Sequence, residues 1–527
     1  MKKLLWITLL LWMGLALASI VTATETPTET PTETPTETPT ETPTETPTST
    51  PTNTPWSSGN YFVDGENGSD SNNGRNPVGT GGGPWKTIDY AVSQLDPGDT
   101  CWVRSGTYKE QVDDMKGDGS DGNEITVRGY IDGADGVIPG WSDSTTRPLI
   151  DAEDTRDTCI TVAYTKGDYW VFENFELANS TGSGGNFFNY QNAPVHVNNV
   201  VSHDAATMNF YNYHNGGVLY LTDCTAYGST AGIYNYHYGE TIVNRCKVYG
   251  NTRGIRGTST HSKLEITSSL IYENSDYGIG GSAEVFDVRN CTIADNGNHG
   301  INLTGMTEER APLYNVYNTI VTGNGTGIYA VDTFDGMDYN DVWDNTTDYD
   351  GAASAGGNSI SADPEYIDGG NDDYRIYTSS PCSGVGSSSY APDYDLDQDS
   401  YKEPPSMGCY EATPLPWPMF RHDVMHTGLS EYAGPTWPAL DWSYKTGNDV
   451  DFSSPALGSD GRVHVGSDDN NFYVFNSDGT LDWSYRTGYW IRSSPALGSD
   501  ARVYVGSNYH NFYVFNPDGT LDWSYRT

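Results

Sequence analysis

Between Arg245 and Lys263 the chain carries Arg245, Lys247, Arg253, Arg256 and Lys263, with no Asp or Glu among them. Elsewhere it is strongly acidic, with 70 Asp and Glu against 27 Lys and Arg and a net charge of -43. Cleavage of a uronate polymer by elimination needs this kind of cluster. A cation neutralises the sugar carboxylate and acidifies the neighbouring proton, and a Lys or Arg base removes it. Lys247 with Arg245, Arg253 or Arg256 is therefore the catalytic candidate. The competing reading is a solvated cluster paired with nearby acids.

Three further constellations carry possible chemistry. Asp204 and Asp223 are candidates for the paired carboxylates of glycoside hydrolysis, which must stand ~5–9 Å apart. Asp393, Asp395, Asp397 and Asp399 alternate along the chain like a calcium loop. The pattern lacks both the sharp-turn Gly and the closing Glu of an EF-hand, so an end-cap loop is the alternative. Tyr227, Tyr249 and Tyr272 share one repeat position, as sugar-stacking platforms or as a structural aromatic ladder. Cys224, Cys246 and Cys291 also share a position and read as buried small hydrophobes. Adjacent Cys224 and Cys246 are close enough for a disulfide, and Cys382 with Cys409 form a second possible pair. The histidines show no metal-ligand spacing.

These residues sit on a repeat. From about 170 to 350 the chain realigns on Phe175, Val200, Cys224, Cys246, Ser269, Cys291, Thr319 and Asn340, at intervals of 21 to 28 residues. Two residues later come Ala226, Val248, Ile271, Ile293 and Val321, which alternation places on the same inward face. Five residues past the alignment stand Asn251, Asn274, Asn296, Asn324 and Asn345, where a turn is expected. Asn tolerates left-handed backbone, and its amide can bond the same amide one coil on. Gly-Ile then recurs at Gly254-Ile255, Gly278-Ile279, Gly300-Ile301 and Gly327-Ile328. Such a repeat is a solenoid; scarce Leu and stacked Asn favour a parallel β-helix over a leucine-rich repeat. Cys246 points inward by this alignment, so Arg245 and Lys247 point out, as does Arg256 after inward Ile255.

The ends have other characters. Lys2 and Lys3 precede the apolar run Leu4 to Leu17 and the small residues Ala16-Leu17-Ala18, so residues 1–18 read as an export signal too short for a confident span. No second apolar stretch of spanning length follows. Residues 24–55 repeat Thr-Pro-Thr-Glu and predict an extended, semi-rigid stalk. Two Lys against six Glu up to Pro55 leave -39 for the remainder, so the acidity belongs to the folded part. Nucleic acid, which needs a basic footprint, is not expected as a partner. An amphipathic helix is expected over Ile88, Ala91, Val92 and Leu95, then a strand over Thr100 to Arg104.

Several motifs look like the cap of pectate-lyase-like β-helix proteins: Tyr61-Phe62-Val63-Asp64, Gly68-Ser69-Asp70-Ser71, Pro84-Trp85-Lys86-Thr87-Ile88, Pro97-Gly98-Asp99, Ser105-Gly106-Thr107-Tyr108 and Gly122-Asn123-Glu124-Ile125-Thr126-Val127. Ser380-Pro381-Cys382, Ala391-Pro392-Asp393 and Met407-Gly408-Cys409-Tyr410-Glu411 resemble that family's closing segment. The resemblance covers about 60–411 and implies an all-β, right-handed parallel β-helix with an N-terminal helical cap. That family holds lyases, hydrolases, epimerases and non-enzymes, so fold alone leaves the reaction open. Its lyases often hold calcium near the base; here only His203-Asp204 and Asp223 lie on preceding coils.

After Pro414 the pattern changes. Ser453 to Asp460 returns as Ser493 to Asp500, Phe472 to Asn476 as Phe512 to Asn516, and Asp-Gly-Thr-Leu-Asp-Trp-Ser-Tyr-Arg-Thr begins at both 478 and 518. With Trp442, Trp483 and Trp523, residues 417–527 resemble quinoprotein-like β-propeller repeats. About two blades are present, and a closed propeller needs more, so the sequence reads as truncated within that module. The resemblance implies an interaction surface; it does not imply a bound quinone, and no quinone is inferred. The whole predicts a secreted or cell-surface protein that binds or processes extracellular polysaccharide, or a non-catalytic adhesion protein.

Overall fold

The computed structural model describes residues 59–526 apart from 79–81, 132–137, 139–145, 164–167, 191–193, 214–216, 306–310, 379, 414–419, 421–441, 459–460, 477–478, 499–501 and 509. The export signal, the Thr-Pro stalk and the opening of the C-terminal module at Trp417 lie outside the described residues.

The main body is a β-solenoid of parallel strands, three to a coil. A first ladder runs from Asn60–Val63 through Val195–Asn198, Val218–Thr222 and Glu240–Asn244 to Gly336–Asp338. A second runs from Ile160–Val162 through Met208–Tyr213 and Ala231–Tyr236 to Thr347–Gly351. The third has ten short strands, from Thr107–Tyr108 through Val201–His203, Thr225–Tyr227 and Lys247–Tyr249 to Asp341–Trp343. In each ladder every second side chain points inward. Ile233, Ile255, Ile279, Ile301 and Ile328 accordingly stack in one buried column, and Val248, Ile271, Ile293 and Val321 in another.

Corners join the ladders, and here the structure adds to the sequence reading. The aligned residues Phe175, Val200, Cys224, Cys246, Ser269, Cys291, Thr319 and Asn340 are buried, but each stands just before a third-ladder strand. The residue before each of them is left-handed: Asn174, Asn199, Asp223, Arg245, Ser268, Asn290, Asn318 and Tyr339 all have φ between 47° and 62°. A second left-handed corner follows the third ladder at Gly250, Glu273, Asp295, Gly323 and Asp344. The turn asparagines come one residue after it. They are kept for their amides, because the left-handed strain falls on their neighbours.

Those amides form the expected stack. Nδ2 of Asn251, Asn274, Asn296 and Asn324 donates to Oδ1 of the next Asn at 3.2, 3.0, 3.0 and 2.9 Å, and Asn345 ends the row on Asp348. Asn189, Asn212 and Asn235 form a second row inside the second ladder at 2.9 and 3.2 Å.

The cap helix is shorter than its apolar spacing suggests. It spans Ile88–Val92 and stops at Ser93, while Leu95 is still buried. The Glu110 carboxylate accepts from the Ile88 and Asp89 amides and so satisfies its first turn. The predicted strand at Thr100 is Thr100–Val103. At the other end, the segment from Tyr366 to Tyr410 folds back over the third ladder. It buries Leu270, Tyr272 and Ala294 beneath Tyr374, Leu396, Cys409 and Tyr410.

The C-terminal repeats form two four-stranded antiparallel sheets. One comprises Ala456–Leu457, Val463–Gly466, Asn471–Phe475 and Leu481–Arg486; the other Ala496–Leu497, Val503–Ser507, Asn511–Phe515 and Leu521–Arg526. They are compatible with blades of a partial propeller. Among the described residues no helix is long and apolar enough to cross a membrane.

All seven cysteines are buried and free, so neither expected disulfide is formed. Among the thiols, Cys224 donates to Val197 O at 3.3 Å, Cys246 to Leu221 O at 3.5 Å and Cys382 to Asp341 Oδ2 at 3.1 Å. Burial pushes the Cys246, Cys382 and Cys409 thiols up, which keeps them protonated and unreactive.

Candidate functional site

The four basic candidates are divided among the sides of the solenoid. Arg245 stands at the left-handed corner between the first and third ladders, Lys247 is exposed on the third, and Arg253 and Arg256 lie on the second. The corner explains Arg245. Its Nε and Nη2 meet both oxygens of Asp223, the same corner one coil earlier, at 2.8 and 3.0 Å. That bidentate bond holds the guanidinium charged and spends its fork on the protein. Arg253 pairs with Asp276 at 3.2 Å, and the Arg256 guanidinium lies 4.9 Å from the Tyr234 ring centre. Lys247 borders the closing segment, where its charge adds to that of Arg375 in holding the Asp373 carboxyl low.

The carboxylate pair is separated likewise. Asp223 belongs to Arg245. Asp204, at the opposite corner of the third ladder, accepts from His203 Nδ1 at 2.8 Å, while His203 Nε2 meets Glu176 at 2.9 Å.

Tyr227, Tyr249 and Tyr272 do form a column, with His203 at its head and ring centres 5.0, 5.2 and 4.9 Å apart. Interplanar angles of 6°, 14° and 20° mean that the faces are spent on one another, and Tyr374 caps the last ring at 5.4 Å. A sugar stacking on these rings would need a free face, so the geometry favours the structural ladder.

The aspartate run is an end-cap loop. Asp395 is 2 % exposed; its Oδ1 accepts from the Asp397 and Asp399 amides and its Oδ2 from Glu411 N, at 2.8–2.9 Å. Asp393, Asp397 and Asp399 are exposed around it. The central carboxylate is thus turned to backbone amides. Among the described residues no group of three or more His, Cys, Asp or Glu could hold a metal ion.

What the structure assembles is a cleft over the first ladder. Its floor is Ile242, Asn244, Glu265, Thr267 and Arg289, with Arg245 at one edge; its wall is Tyr390, Pro392, Asp393 and Tyr394, enclosing about 380 Å³. The wall is firmly held. Tyr390 stacks on Tyr317 at 3.6 Å, Ser268 Oγ donates to Tyr394 O at 2.6 Å, and Asn318 exchanges two hydrogen bonds with Ser387 at 2.8 and 2.9 Å. Arg289 pairs with Asp287 through Nε at 2.8 Å and also through Nη2. Glu265 lies on the ladder between Ile242 and Asp287, and burial raises its carboxyl above the usual range, partly offset by Arg289.

Sequence reasoning reached Arg245 and Asp393 but missed Glu265, Arg289 and Tyr394. They join through a contact between residues 126 apart in the chain, Ser268 and Tyr394, which no local periodicity announces.

A group whose folded pKa is raised stabilises the fold below its unfolded pKa and loses that contribution as pH rises through the folded value. Urea unfolding between about pH 4 and about pH 8 should therefore show stability falling more steeply for the wild type than for Glu265→Gln, which stays neutral. Parallel curves would mean that burial of Glu265 carries no such cost.

A family model described as right handed beta helix region matches residues 158–316. An uncharacterized protein of Bacillus subtilis (strain 168), YwoF, is 36% identical over 106 residues, which cover 20% of this chain and 21% of that protein. The match thus spans about a fifth of that relative's length. Among solved structures, pectate lyase Pel9A is similar with a TM-score of 0.48 at 15% identity, over 67% of this chain and 96% of that one. XylC in complex with xylose gives 0.35 at 12% identity over 67% and 98%, and a rhamnogalacturonan lyase 0.32 at 15% over 58% and 90%. The chain is an all-β protein whose main body is a right-handed parallel β-helix.

Proposed function

We propose that this chain is a secreted or surface-displayed protein whose β-helix binds an extracellular polysaccharide in the first-ladder cleft. The observation that supports the reading is the wall of residues 390–394, which turns the outer surface of a ladder into a groove lined by the Asn244 amide, the Thr267 hydroxyl, two phenols, two guanidiniums, Asp393 and the half-buried Glu265. Convergent polar groups in a walled concavity are what a binding site requires. The export signal and the stalk expected from the sequence suit display outside the cell.

Cleavage of a uronate polymer is the narrower reading, resting on Lys247 with Arg245, Arg253 or Arg256. Their separation over different sides, and the Asp223 and Asp276 partners of two of them, favour binding over elimination. Affinity electrophoresis of the full chain in gels containing pectate, alginate, chondroitin or neutral glucan and xylan tests the proposal. At least one polymer should retard the wild type, and Tyr394→Ala and Glu265→Ala should each weaken that retardation about tenfold, the scale of one lost polar or aromatic contact. Retardation unchanged in both variants would overturn the cleft as the site. Absorbance at the unsaturated-uronate band, with and without calcium, reads the narrower activity.

A further inference from the structure

Both guanidiniums that line the first-ladder cleft are engaged by the protein's own acids. Arg245 gives its fork to Asp223 at 2.8 and 3.0 Å, and Arg289 gives its fork to Asp287 through Nε and Nη2. The pattern extends along the ladder, where Arg128 pairs with Glu173. A guanidinium fork matches one carboxylate in the bidentate geometry, so a second carboxylate must displace the first. Lys263 is exposed on the same face, in register with Glu240 and two residues from Glu265, and does not line the cleft.

The acids of the cleft are not engaged in the same way. Glu265 and Asp393 both line it, and the Glu265 carboxylate receives no hydrogen bond from the described residues. With Asp223 and Asp287 included, two guanidiniums there are set against four carboxylates. The charged groups left open are therefore acceptors. The wall adds Tyr394, 49% exposed, whose ring offers an apolar face with a polar tip. An uncharged sugar suits such a surface. Its hydroxyls donate to the carboxylates in charge-assisted bonds, and its C–H face lies against the phenol ring. A uronate brings one acceptor-only carboxylate per sugar to acceptor-only groups of like charge.

We infer that the ligand of the first-ladder cleft is a neutral, hydroxyl-rich polysaccharide, and that Asp223 and Asp287 turn uronates away by occupying Arg245 and Arg289. This rests on the proposal that the cleft is the polysaccharide site. Binding of the full chain to polymers immobilised on a sensor tip tests it, with glucan, xylan and mannan beside pectate, alginate and chitosan, and with the uronates also in calcium. At least one neutral polymer should bind, with affinity constant within about twofold between about 20 and about 300 mM salt, because no ion pair is there to be screened. Asp223→Asn frees the Arg245 fork and keeps the corner, since Asn tolerates the left-handed φ of 56°. It should gain about tenfold in uronate affinity at low salt and lose that gain at high salt. Glu265→Gln keeps the shape and loses the charged acceptor, so neutral binding should weaken about fivefold. Uronate binding to the wild type, with or without calcium, overturns the inference and leaves the cleft standing if Tyr394→Ala abolishes it. Binding to chitosan alone overturns it in favour of a cationic ligand, and an Asp223→Asn chain with no gain for uronates overturns the role given to the occupied guanidiniums. If no polymer binds, the cleft proposal falls as well.

Discussion

Asn274→Ala should lower the unfolding free energy by about 4 kcal/mol, because it strips partners from several buried groups at once. The Asn274 side chain is fully buried. Its amide donates to Val248 O, Tyr272 O and Asn296 Oδ1 at 3.0–3.1 Å, and its Oδ1 accepts from Asn251 N and Nδ2 at 3.1 and 3.2 Å. Truncation leaves two carbonyls and a backbone N–H in a site too enclosed for solvent, and each costs ~1–3 kcal/mol. Asn274→Asp should be at least as damaging, since it keeps the acceptor, loses the donor and buries a charge. Coils touch only their neighbours, so the loss should be local before it is global. Calorimetry reads the drop, and hydrogen exchange should show earlier opening at Asn251 and Asn274 than at the first coils. A melting temperature within a degree or so of wild type would show the row to be incidental.

Gly254→Ala should cost about 2–3 kcal/mol, more than any backbone preference of Gly explains. A Cβ there would meet Gly278 O at 2.4 Å, Asn274 Nδ2 at 2.9 Å and Ile271 Cγ2 at 3.0 Å. The nearest atom is backbone of the next coil and cannot swing aside. The contrast is Gly250→Ala at the corner four residues earlier, where φ is 62° and a Cβ meets nothing within 4 Å. That change should cost only the left-handed penalty of ~1–2 kcal/mol. Urea unfolding of the two variants side by side separates space from conformation. Equal losses would mean that coil spacing relaxes to accept a methyl group.

These two positions show why the solenoid was legible. Each coil solves one problem with one set of residues, so Asn and Gly-Ile recur in phase and can be counted along the chain. The aligned column was legible for the same reason, and each of its residues stands one position before its strand. The left-handed corners were not read, because their occupants, from Asn174 and Asp223 to Arg245 and Tyr339, share a conformation and no side-chain type.

The candidate site divides along the same line. The sequence by itself determined the repeat, the inward columns, the acidic character and the outward placement of Arg245 and Lys247. It could not determine how outward residues are shared among the three sides, because a corner turns the surface without interrupting the alternation that marks in from out. Nor could it show that Asp223 engages Arg245, that the Tyr faces close on one another, or that Tyr394 crosses to Ser268 and walls a cleft around Glu265. Ladder contacts recur at the period of the coil and therefore leave a periodic trace. The contact that builds the cleft is made once, between distant segments, and only the tertiary structure decides it.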